Sequence, residues 1–246
     1  MKKWIFFCAT LMTLWGSDQP SQWGENVTGV VTRFKPQGKQ VALTLDACGG
    51  SVRSSQFDEK LIGYLQDHHI PATLFINARW IDSNPILFNR LASNPIFEIA
   101  NHGTAHRPLS VNGRSVYGIN GTVSKDDVIK EVRENNLKIE QLTTKKPKFF
   151  RSGTAYYDEI AVALARQEGV EIAGFSIIAD AGATLPSDEV FRRIASAKSG
   201  DIIIAHMNHP ESGTAQGVIE GVEALQSQGF HFVRLSDIQK RLEHIP

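Results

Sequence analysis

Short apolar runs alternate with amphipathic stretches along most of the 246-residue chain, and this alternation constrains the fold more than any other feature. Seven runs predict strands, at residues 41–45, 72–76, 97–100, 148–151, 171–178, 201–205 and 230–234. Seven helices are predicted at residues 56–68, 85–92, 125–141, 158–168, 188–197, 214–228 and 236–242. Strands that alternate with helices indicate an α/β fold with a parallel sheet covered by helices. Seven units favour a barrel one unit short of the usual eight over an open, doubly wound sheet.

The first residues have the pattern of a secretory signal peptide. Lys2 and Lys3 precede an apolar stretch at 4–15, and small or polar residues follow it. We therefore expect residues 1–17 to be a signal peptide, residues 18–40 a polar lead-in, and residues 41–246 the single domain of an exported protein, periplasmic or secreted. No small-x-small cleavage site follows the apolar stretch, so an uncleaved anchor is the alternative.

The charge balance excludes one class of partner. The chain has 26 Lys and Arg residues against 26 Asp and Glu residues, which leaves no basic surface for phosphate backbones, so we expect no nucleic-acid partner. No apolar run reaches the roughly 18 to 20 residues that span a bilayer, and we expect no integral membrane span in the mature chain. Gly49 and Gly50 suggest a phosphate-binding loop, but neither G-x-G-x-x-G nor G-K-S/T is present.

Polar or ionisable side chains follow six of the predicted strands, at the ends where parallel α/β folds place their functional residues. They are Asp46, Asn77, His102 with His106, Arg151, Asp180 and His206. Each has an ordinary interpretation by itself, such as a turn cap, a surface ion pair or a buried core histidine. Their joint occurrence at one end of the sheet favours a functional site.

These side chains predict metal-assisted hydrolysis of an amide or ester. His102 and His106 are four residues apart, and on a helical turn they would hold one divalent cation from the same side. Asp46 would add a carboxylate ligand and leave positions open for water and substrate, as in catalytic metal sites. Arg151 would keep a carboxylate ionised, and His206 would protonate the leaving amine.

Five segments, in the same order along the chain, resemble the motifs of the polysaccharide deacetylases of carbohydrate esterase family 4, the NodB-homology domain. They are Thr44-Leu45-Asp46-Ala47-Cys48-Gly49, His102-Gly103-Thr104-Ala105-His106, Phe150-Arg151-Ser152-Gly153-Thr154, Asp180, and Ile204-Ala205-His206. The family patterns are T-F-D-D-G, H-S/T-x-x-H, R-x-P-Y, an acidic residue and L-x-H. The resemblance spans about residues 41–234.

The resemblance implies a distorted (β/α)7 barrel that removes N-acetyl groups from N-acetylglucosamine-containing polysaccharide, with peptidoglycan favoured over chitin-type oligomers. It implies one divalent metal ion, zinc first, with cobalt or nickel as alternatives. It also gives six side chains a role: Asp46 as general base, His102 and His106 as metal ligands, His206 as general acid, Arg151 orienting Asp46, and Asp180 tuning His206. A main-chain N–H near Thr154 would help to bind the oxyanion.

Ala47 is the serious departure from the family pattern, because the second aspartate of the first motif ligates the metal and alanine cannot. Three hypotheses remain open: Asp46 moves onto the metal while another group acts as base, Cys48 contributes a thiolate that favours zinc, or the site is degenerate and only binds sugar. The alternatives to a deacetylase are therefore a catalytically silent glycan-binding module and a small-molecule amidohydrolase.

Two further sets of residues are candidates for the site. Trp80 and one of Tyr156 and Tyr157 are candidates for stacking on sugar rings. His209 is a candidate for assisting or replacing His206.

Overall fold

The computed structural model describes residues 19–246, so the predicted leader at 1–17 lies outside the described residues. Within them the strands are β1 (Val30–Phe34), β2 (Gln40–Ala47), β3 (Ala72–Ile76), β4 (Phe97–Asn101), β5 (Phe149–Phe150), β6 (Glu171–Ala173), β7 (Ile177–Ile178), β8 (Ile202–His206), β9 (His231–Phe232) and β10 (Leu242–His244). The helices are α1 (Glu59–Asp67), α2 (Ala78–Ser83), α3 (Pro85–Ser93), α4 (Lys125–Thr143), α5 (Glu159–Gln167), α6 (Ser187–Ala195), α7 (Thr214–Ser227) and a 3-10 helix (Leu235–Arg241).

The strands form one sheet in the order β10-β1-β6-β5-β4-β3-β2-β8-β7, and β9 adds to β2. The neighbouring strands are parallel except for β1 and β10, which are antiparallel. Strands β2 to β8 follow one another in the chain, and helices connect all of them except β6 and β7. The predicted α/β fold with a parallel sheet is confirmed. None of the helices in residues 19–246 is both long and apolar enough to cross a bilayer.

Alternation of side-chain direction gives β2 two different buried faces. The odd-numbered residues from 41 to 47 pack with buried residues of α1, α6 and α7, and we call this group the outer cluster. The even-numbered Ala42 packs in a second group, the inner cluster, which is formed by Val31, Phe34, Ala42, Phe75, Ala100, Phe149, Ala173, Ile202, Leu235 and Ile238. Thr44 and Asp46 continue the direction of Ala42, so their side chains point to the inner side of the sheet.

Part of the predicted polar lead-in is a buried strand. Residues 30–34 form β1, and Val30, Val31 and Phe34 are almost completely buried. This strand pairs with β6 on one side and with the C-terminal β10 on the other. The backbone N–H and C=O groups of β1 are therefore paired on both sides, whereas at an unpaired sheet edge half of them would lack a partner.

The single strand predicted at 171–178 is wrong, because the chain forms β6 and β7 with a break at residues 174–176. Gly174 donates its N–H to Val31, and a Cβ on Gly174 would lie 2.8 Å from a methyl carbon of Val30. The break frees the carbonyls of Ala173 and Gly174 to accept hydrogen bonds from Arg151. The short helix α2 was not predicted, and the helix predicted at 236–242 is the 3-10 helix followed by β10.

Candidate active site

Asp46 and His206 lie side by side at the carboxyl ends of neighbouring strands. The register of β2 and β8 pairs these two residues directly. Asp46 follows Ala42, and His206 follows Ile202, at an even number of residues along an extended strand, so both side chains point to the inner side. The separation of the two functional groups is therefore set by the spacing of two paired strands.

Arg151 is completely buried and forms an ion pair with Asp46, with Nη1 at 2.7 Å from Oδ1. The same nitrogen donates to Thr44 Oγ1 at 3.0 Å. The other nitrogens donate to the carbonyls of Ala173 and Gly174, at 2.9 and 3.0 Å. Every guanidinium nitrogen thus has a partner, and the pair can exist in a site from which water is excluded.

His102 and His106 come together on a loop, so the predicted helical turn is wrong. Their ring centroids are 4.9 Å apart and the rings are nearly perpendicular. His102 Nδ1 lies 3.0 Å from the carbonyl oxygen of Arg151, which can only accept, so Nδ1 donates and Nε2 carries the lone pair of the neutral ring. His106 Nε2 is buried and has no hydrogen-bond partner among the described residues.

The loop between the two histidines winds around the carboxylate of Glu131, a buried residue of α4. Its oxygens accept hydrogen bonds from the N–H groups of Ala105 and Arg107 at 3.0 to 3.2 Å. Burial outweighs these donors and raises the pKa of Glu131 to about 7. Gly103 has a φ of 81°, and a Cβ there would lie 2.5 Å from Glu131 Oε1. This close approach explains why glycine occupies a position where the second motif usually has Ser or Thr.

Cys48 is half-buried beside the two histidines, with its Sγ 3.9 Å from His102 Nε2. The donor atoms of Cys48, His102 and His106 all lie within 4.8 Å of one another. Burial by itself would raise the pKa of the Cys48 thiol, but His106, His102 and His206 hold it well below its usual range. Burial likewise opposes protonation of His102, whose pKa is nevertheless raised by Asp46 and Cys48.

Asp180 holds His206 through two hydrogen bonds. Its Oδ1 lies 2.9 Å from His206 Nδ1, and its Oδ2 accepts from the His206 main-chain N–H at 2.8 Å. The hydroxyl of Thr214 donates to the same Oδ2 at 2.9 Å. Burial by itself would lower the pKa of His206, but the Asp180 carboxylate and the contact with Cys48 raise it well above its usual range. His206 in turn lowers the pKa of Asp180 against the effect of burial.

A family model described as polysaccharide deacetylase matches residues 34–173, more than half of the chain. The chain belongs to the polysaccharide deacetylase family. Among curated proteins, it is 24% identical over 195 residues to the uncharacterised protein YlxY of Bacillus subtilis (strain 168), covering 78% of this chain and 56% of YlxY. It is 22% identical over 231 residues to an uncharacterised 30.6 kDa protein of Geobacillus stearothermophilus, covering 90% of this chain and 79% of that protein. The chain thus spans little more than half the length of YlxY.

Three solved structures of carbohydrate esterase family 4 or of deacetylases are similar to this fold. The Bc1960 peptidoglycan N-acetylglucosamine deacetylase is 20% identical with a TM-score of 0.73, and the match covers 86% of this chain and 92% of that one. PdaA of Bacillus subtilis is 17% identical with a TM-score of 0.70, over 86% and 85% of the two chains. The pseudoenzyme BA3943 of Bacillus anthracis is 20% identical with a TM-score of 0.71, over 86% and 69%. The predicted distorted (β/α)7 barrel of the NodB type is confirmed.

Polysaccharide deacetylases of this family hydrolyse amide C–N bonds and use a divalent metal ion, and the side chains present here fit such an ion. His106 Nε2 is a buried nitrogen without a hydrogen-bond partner in residues 19–246. The ring orientation of His102 places its Nε2 lone pair near Cys48 Sγ, at 3.9 Å, and near Asp46 Oδ2, at 3.6 Å. Imidazole nitrogen and thiolate sulfur are ligands of zinc and cobalt. Asp46 lies outside this group of three, so its predicted role as a metal ligand stays a prediction.

The candidate active site opens into a cavity of about 560 Å³. Its lining includes Asp46, Cys48, His106, Asp180 and His206, together with Thr154, near which a main-chain oxyanion donor is predicted. Glu25 and His209 also line the cavity, and the mostly exposed Tyr117 lies at its rim. Four of the predicted strand ends therefore meet in one cavity, and Arg151 supports Asp46 from behind.

The aromatic residues at the mouth differ from the predicted ones. Trp80 and Tyr157 are completely buried, so the prediction that they stack on sugars is wrong. Tyr156 is partly exposed and lies beside Tyr117, with ring centroids 5.6 Å apart. Tyr117 is 71% exposed and was not predicted.

Two other residues were missed or given the wrong surroundings by the sequence. Glu131 lies in the highly charged helix α4, where a glutamate in the sequence predicts a solvent-exposed position. Its burial is visible only in the structure, where the histidine loop packs onto it. Asn77 is no site residue, because its amide donates to the carbonyls of His102 and Gly103 and holds the histidine loop.

His209 lies in the cavity, with its ring centroid 6.4 Å from that of His206.

Proposed function

We propose that the protein is a metal-dependent hydrolase that removes N-acetyl groups from N-acetylglucosamine units, with peptidoglycan as its substrate. Its proposed catalytic domain is the predicted one at residues 41–246, completed by strand β1. One observation carries the proposal: Asp46 and His206 are paired in register on adjacent strands and open into the cavity that also contains His106. A carboxylate base and an imidazole acid beside nitrogen ligands form the set that amide hydrolysis requires.

Asp46 is the proposed general base. Arg151 fixes one oxygen of the carboxylate and balances its charge, so the other oxygen is left to accept the proton of the attacking water. Thr44 holds the same guanidinium nitrogen and limits its movement. Because these groups are buried, the carboxylate keeps one orientation and needs no rearrangement when the substrate binds.

His206 is the proposed general acid. Asp180 occupies Nδ1, so the Nε2–H of the protonated ring is available to the leaving amine. The raised pKa of His206, caused by Asp180 and Cys48 against the effect of burial, keeps that proton on the ring at neutral pH. His206 can therefore deliver it when the C–N bond breaks.

His102 and His106 are the proposed ligands of a divalent cation, zinc first, with cobalt or nickel as alternatives. Such a cation supplies Lewis acidity that polarises the acetamide carbonyl. The main-chain N–H near Thr154 is the proposed second donor to the oxyanion. Asp46 as a third ligand was one of the predictions, but its carboxylate is better suited to the base, because Arg151 already holds one of its oxygens.

Peptidoglycan is the proposed substrate for two reasons. Bc1960, one of the similar structures, is a peptidoglycan N-acetylglucosamine deacetylase. The predicted leader at residues 1–17 would export the protein to the periplasm or beyond, where it meets this polymer. A closed pocket for a small amide is not favoured, because exposed Tyr117 at the rim leaves room for neighbouring sugars.

A silent glycan-binding module is the second candidate function. It is favoured by Ala47, which replaces a metal-binding residue of the family pattern, and by the likeness to the pseudoenzyme BA3943. The complete Asp46–Arg151 and His206–Asp180 pairs weigh against it, because a binding module has no need of a paired base and acid.

Acetate release tests the proposal. The full chain is stripped with a chelator, reloaded with zinc, cobalt or nickel, and assayed on peptidoglycan and on N-acetylglucosamine oligomers. We expect acetate only after reloading, and a loss of about 10²- to 10⁴-fold in kcat for Asp46→Asn. His102→Ala should lose both metal and turnover, whereas His68→Ala, an exposed histidine at the end of α1, should keep both. Metal binding without acetate from any glycan would overturn the hydrolase proposal in favour of the silent module.

A further inference from the structure

The side chain at position 47 points away from the site. Ala47 is completely buried in the outer cluster, which also contains Ile76 and Trp80. In the sheet it is paired with Ile76 of β3. An aspartate at this position would place its carboxylate among hydrophobic side chains, away from the two histidines. The residue that the sequence pattern marks as missing could not reach the site in this chain.

Cys48 has the side-chain direction that Ala47 lacks. Asp46 and Cys48 both line the cavity, with the buried Ala47 between them. The sulfur is 3.9 Å from His102 Nε2, and the three donor atoms lie within 4.8 Å of one another. Ligands at about 2.0 to 2.3 Å from one tetrahedral ion are about 3.5 Å apart, so small side-chain movements bring the three donors to ligand distance.

Both histidines have a ring nitrogen that is placed to bind a metal ion next to the Cys48 sulfur. The Arg151 carbonyl fixes the ring orientation of His102 through Nδ1 and leaves Nε2 on the side of Cys48. His106 Nε2 is buried without a hydrogen-bond partner in residues 19–246, which is costly unless something binds it. Asp46 Oδ1, by contrast, already accepts a hydrogen bond from Arg151. Its Oδ2 lies 3.6 Å from His102 Nε2, but Asp46 is not in the group of three donor residues whose atoms all lie within 4.8 Å of one another.

We infer that Cys48 is the third protein ligand of the metal ion, bound as a thiolate with His102 and His106, and that Asp46 stays off the metal. The inference rests on the proposed function only in requiring a divalent cation at this site. On binding, the Cys48 thiol loses its proton to solvent and the sulfur forms the bond to the cation, so one proton is released for each ion bound at a pH where the thiol is protonated. A Cys/His/His set favours zinc and cobalt over magnesium or calcium.

Cobalt absorption tests the ligand directly, without an activity assay. The full chain carries Cys8→Ser in every sample, so that Cys48 is its only thiol. We expect one bound Co²⁺ per chain and a near-ultraviolet sulfur-to-cobalt charge-transfer band. Cys48→Ser should lose the band and weaken cobalt binding at least tenfold. Asp46→Asn should keep both the band and the stoichiometry.

Two further variants separate position 47 from position 48. Cys48→Asp should bind cobalt without the charge-transfer band, because an oxygen ligand then occupies the place of the sulfur. Ala47→Asp added to Cys48→Ser should not restore cobalt binding, because its carboxylate lies in the outer cluster. Circular dichroism of each variant shows whether the fold is kept, and the wild-type spectrum alone decides the case if a variant fails to fold.

The results distinguish this inference from the proposed function. Stoichiometric cobalt without the band, no cobalt binding, or a band that persists in Cys48→Ser would overturn Cys48 as a ligand. Restoration of cobalt binding by Ala47→Asp would overturn the argument from side-chain direction. A cobalt band without acetate release would support Cys48 as a ligand and overturn the hydrolase proposal. Acetate release without the band would support the hydrolase proposal and overturn Cys48 as a ligand.

Discussion

The His206 imidazole and the Asp180 carboxylate form a hydrogen-bonded pair, and the raised pKa of His206 predicts how activity changes with pH. The pKa of His206 is raised well above its usual value by Asp180 and Cys48, against the effect of burial. The proposed general acid must be protonated, so we expect activity to be kept at neutral pH and to be lost as the pH rises through this raised pKa. In Asp180→Asn the carboxylate is gone, and the alkaline limb should move to lower pH.

The measurement is kcat against pH for wild type and Asp180→Asn, with Thr214→Val as the matched control. Thr214 donates one hydrogen bond to Asp180, so its loss leaves the carboxylate and its charge in place. We expect kcat at pH 8 to fall on the order of 10²-fold in Asp180→Asn and only a few-fold in the control. Coincident alkaline limbs in Asp180→Asn and wild type would contradict the role of Asp180.

Glu131 makes a separate prediction, about stability. Burial raises its pKa from 4.5 to about 7 in the folded protein. A carboxyl group with a raised folded pKa favours the folded state below the unfolded pKa, and this contribution is lost as the pH rises from 4.5 to 7. The difference corresponds to about 3 kcal/mol. Glu131→Gln cannot titrate, so its free energy of unfolding should fall less over this range than that of wild type.

Urea unfolding at pH 4.5 and pH 7.5, with a chelator in every sample, measures this difference. Because the chelator removes metal-linked proton release, the comparison isolates the carboxyl group. Equal changes in the two proteins would show that the pKa of Glu131 is the same in the folded and unfolded states, with the N–H groups of Ala105 and Arg107 offsetting its burial.

At the scale of elements, the loop at residues 112–124 presents an aromatic ring to the cavity. Val116 and Ile119 are joined by two main-chain hydrogen bonds, and the residues between them, Tyr117 and Gly118, both have positive φ. This is the backbone of a tight two-residue turn. The turn puts Tyr117 at its tip, with its ring edge-on to Tyr156. A hydrogen bond with Tyr156 raises the pKa of Tyr117 to about 12, so the ring stays neutral.

We expect Tyr117→Ala to raise KM for N-acetylglucosamine oligomers about fivefold with little change in kcat. Loss of one aromatic contact to a sugar face corresponds to about 1 kcal/mol, and the ring lies at the rim, apart from the proposed base and acid. Tyr117→Phe keeps the ring and should keep most of the binding. Ile86→Ala removes another exposed apolar side chain, from α3, and should change neither KM nor kcat. An unchanged KM in Tyr117→Ala would remove Tyr117 from the substrate path.

The strands that carry the site were predictable because their signals are local. The run 72–76 is apolar and entered through Pro71, and it corresponds to β3 without error. The position of the polar residues that follow these runs was predictable because the carboxyl ends of parallel strands lie at one edge of the sheet. The break after β6 was not predictable, because its cause is the contact of Gly174 with β1, about 140 residues earlier in the chain.

Side-chain partners across the chain could be predicted only where the family resemblance supplied them. The resemblance implied that Arg151 orients Asp46, but nothing local in the sequence shows that Cys48 rather than Ala47 faces the histidines. Tyr117 gives no signal either, because an isolated Tyr-Gly pair is typical of many surface turns. Long-range packing determines these contacts, and it has no periodicity in the sequence.

For the whole molecule, the inner cluster supports the site from below. Phe75 belongs to this cluster, and the Arg151 guanidinium lies 4.2 Å from the centre of its ring. The C-terminal segment completes the cluster with Leu235 and Ile238, and β10 pairs with β1. The last dozen residues therefore close the base of the fold.

Leu235→Ala should destabilise the protein by about 2 to 5 kcal/mol, because it opens a cavity in a fully buried cluster. Since Leu235 lies outside the active-site cavity, kcat per folded molecule should stay unchanged. Denaturant unfolding and an acetate assay measure the two quantities, and Ile86→Ala should shift stability by less than about 0.5 kcal/mol. A stable Leu235→Ala protein would mean that the C-terminal segment is not needed to complete the core.

The opposite directions of residues 47 and 48 bear on how relatives of this chain are sorted into active and inactive members. A column-by-column alignment sets Ala47 against the family's second aspartate and counts the chain with those that have lost a donor. Successive residues of a strand face opposite sides, and in this chain the donor atom beside the histidines belongs to position 48 and not to position 47. If Cys48 binds the ion, a count of inactive deacetylases taken from alignment columns alone would wrongly include this chain.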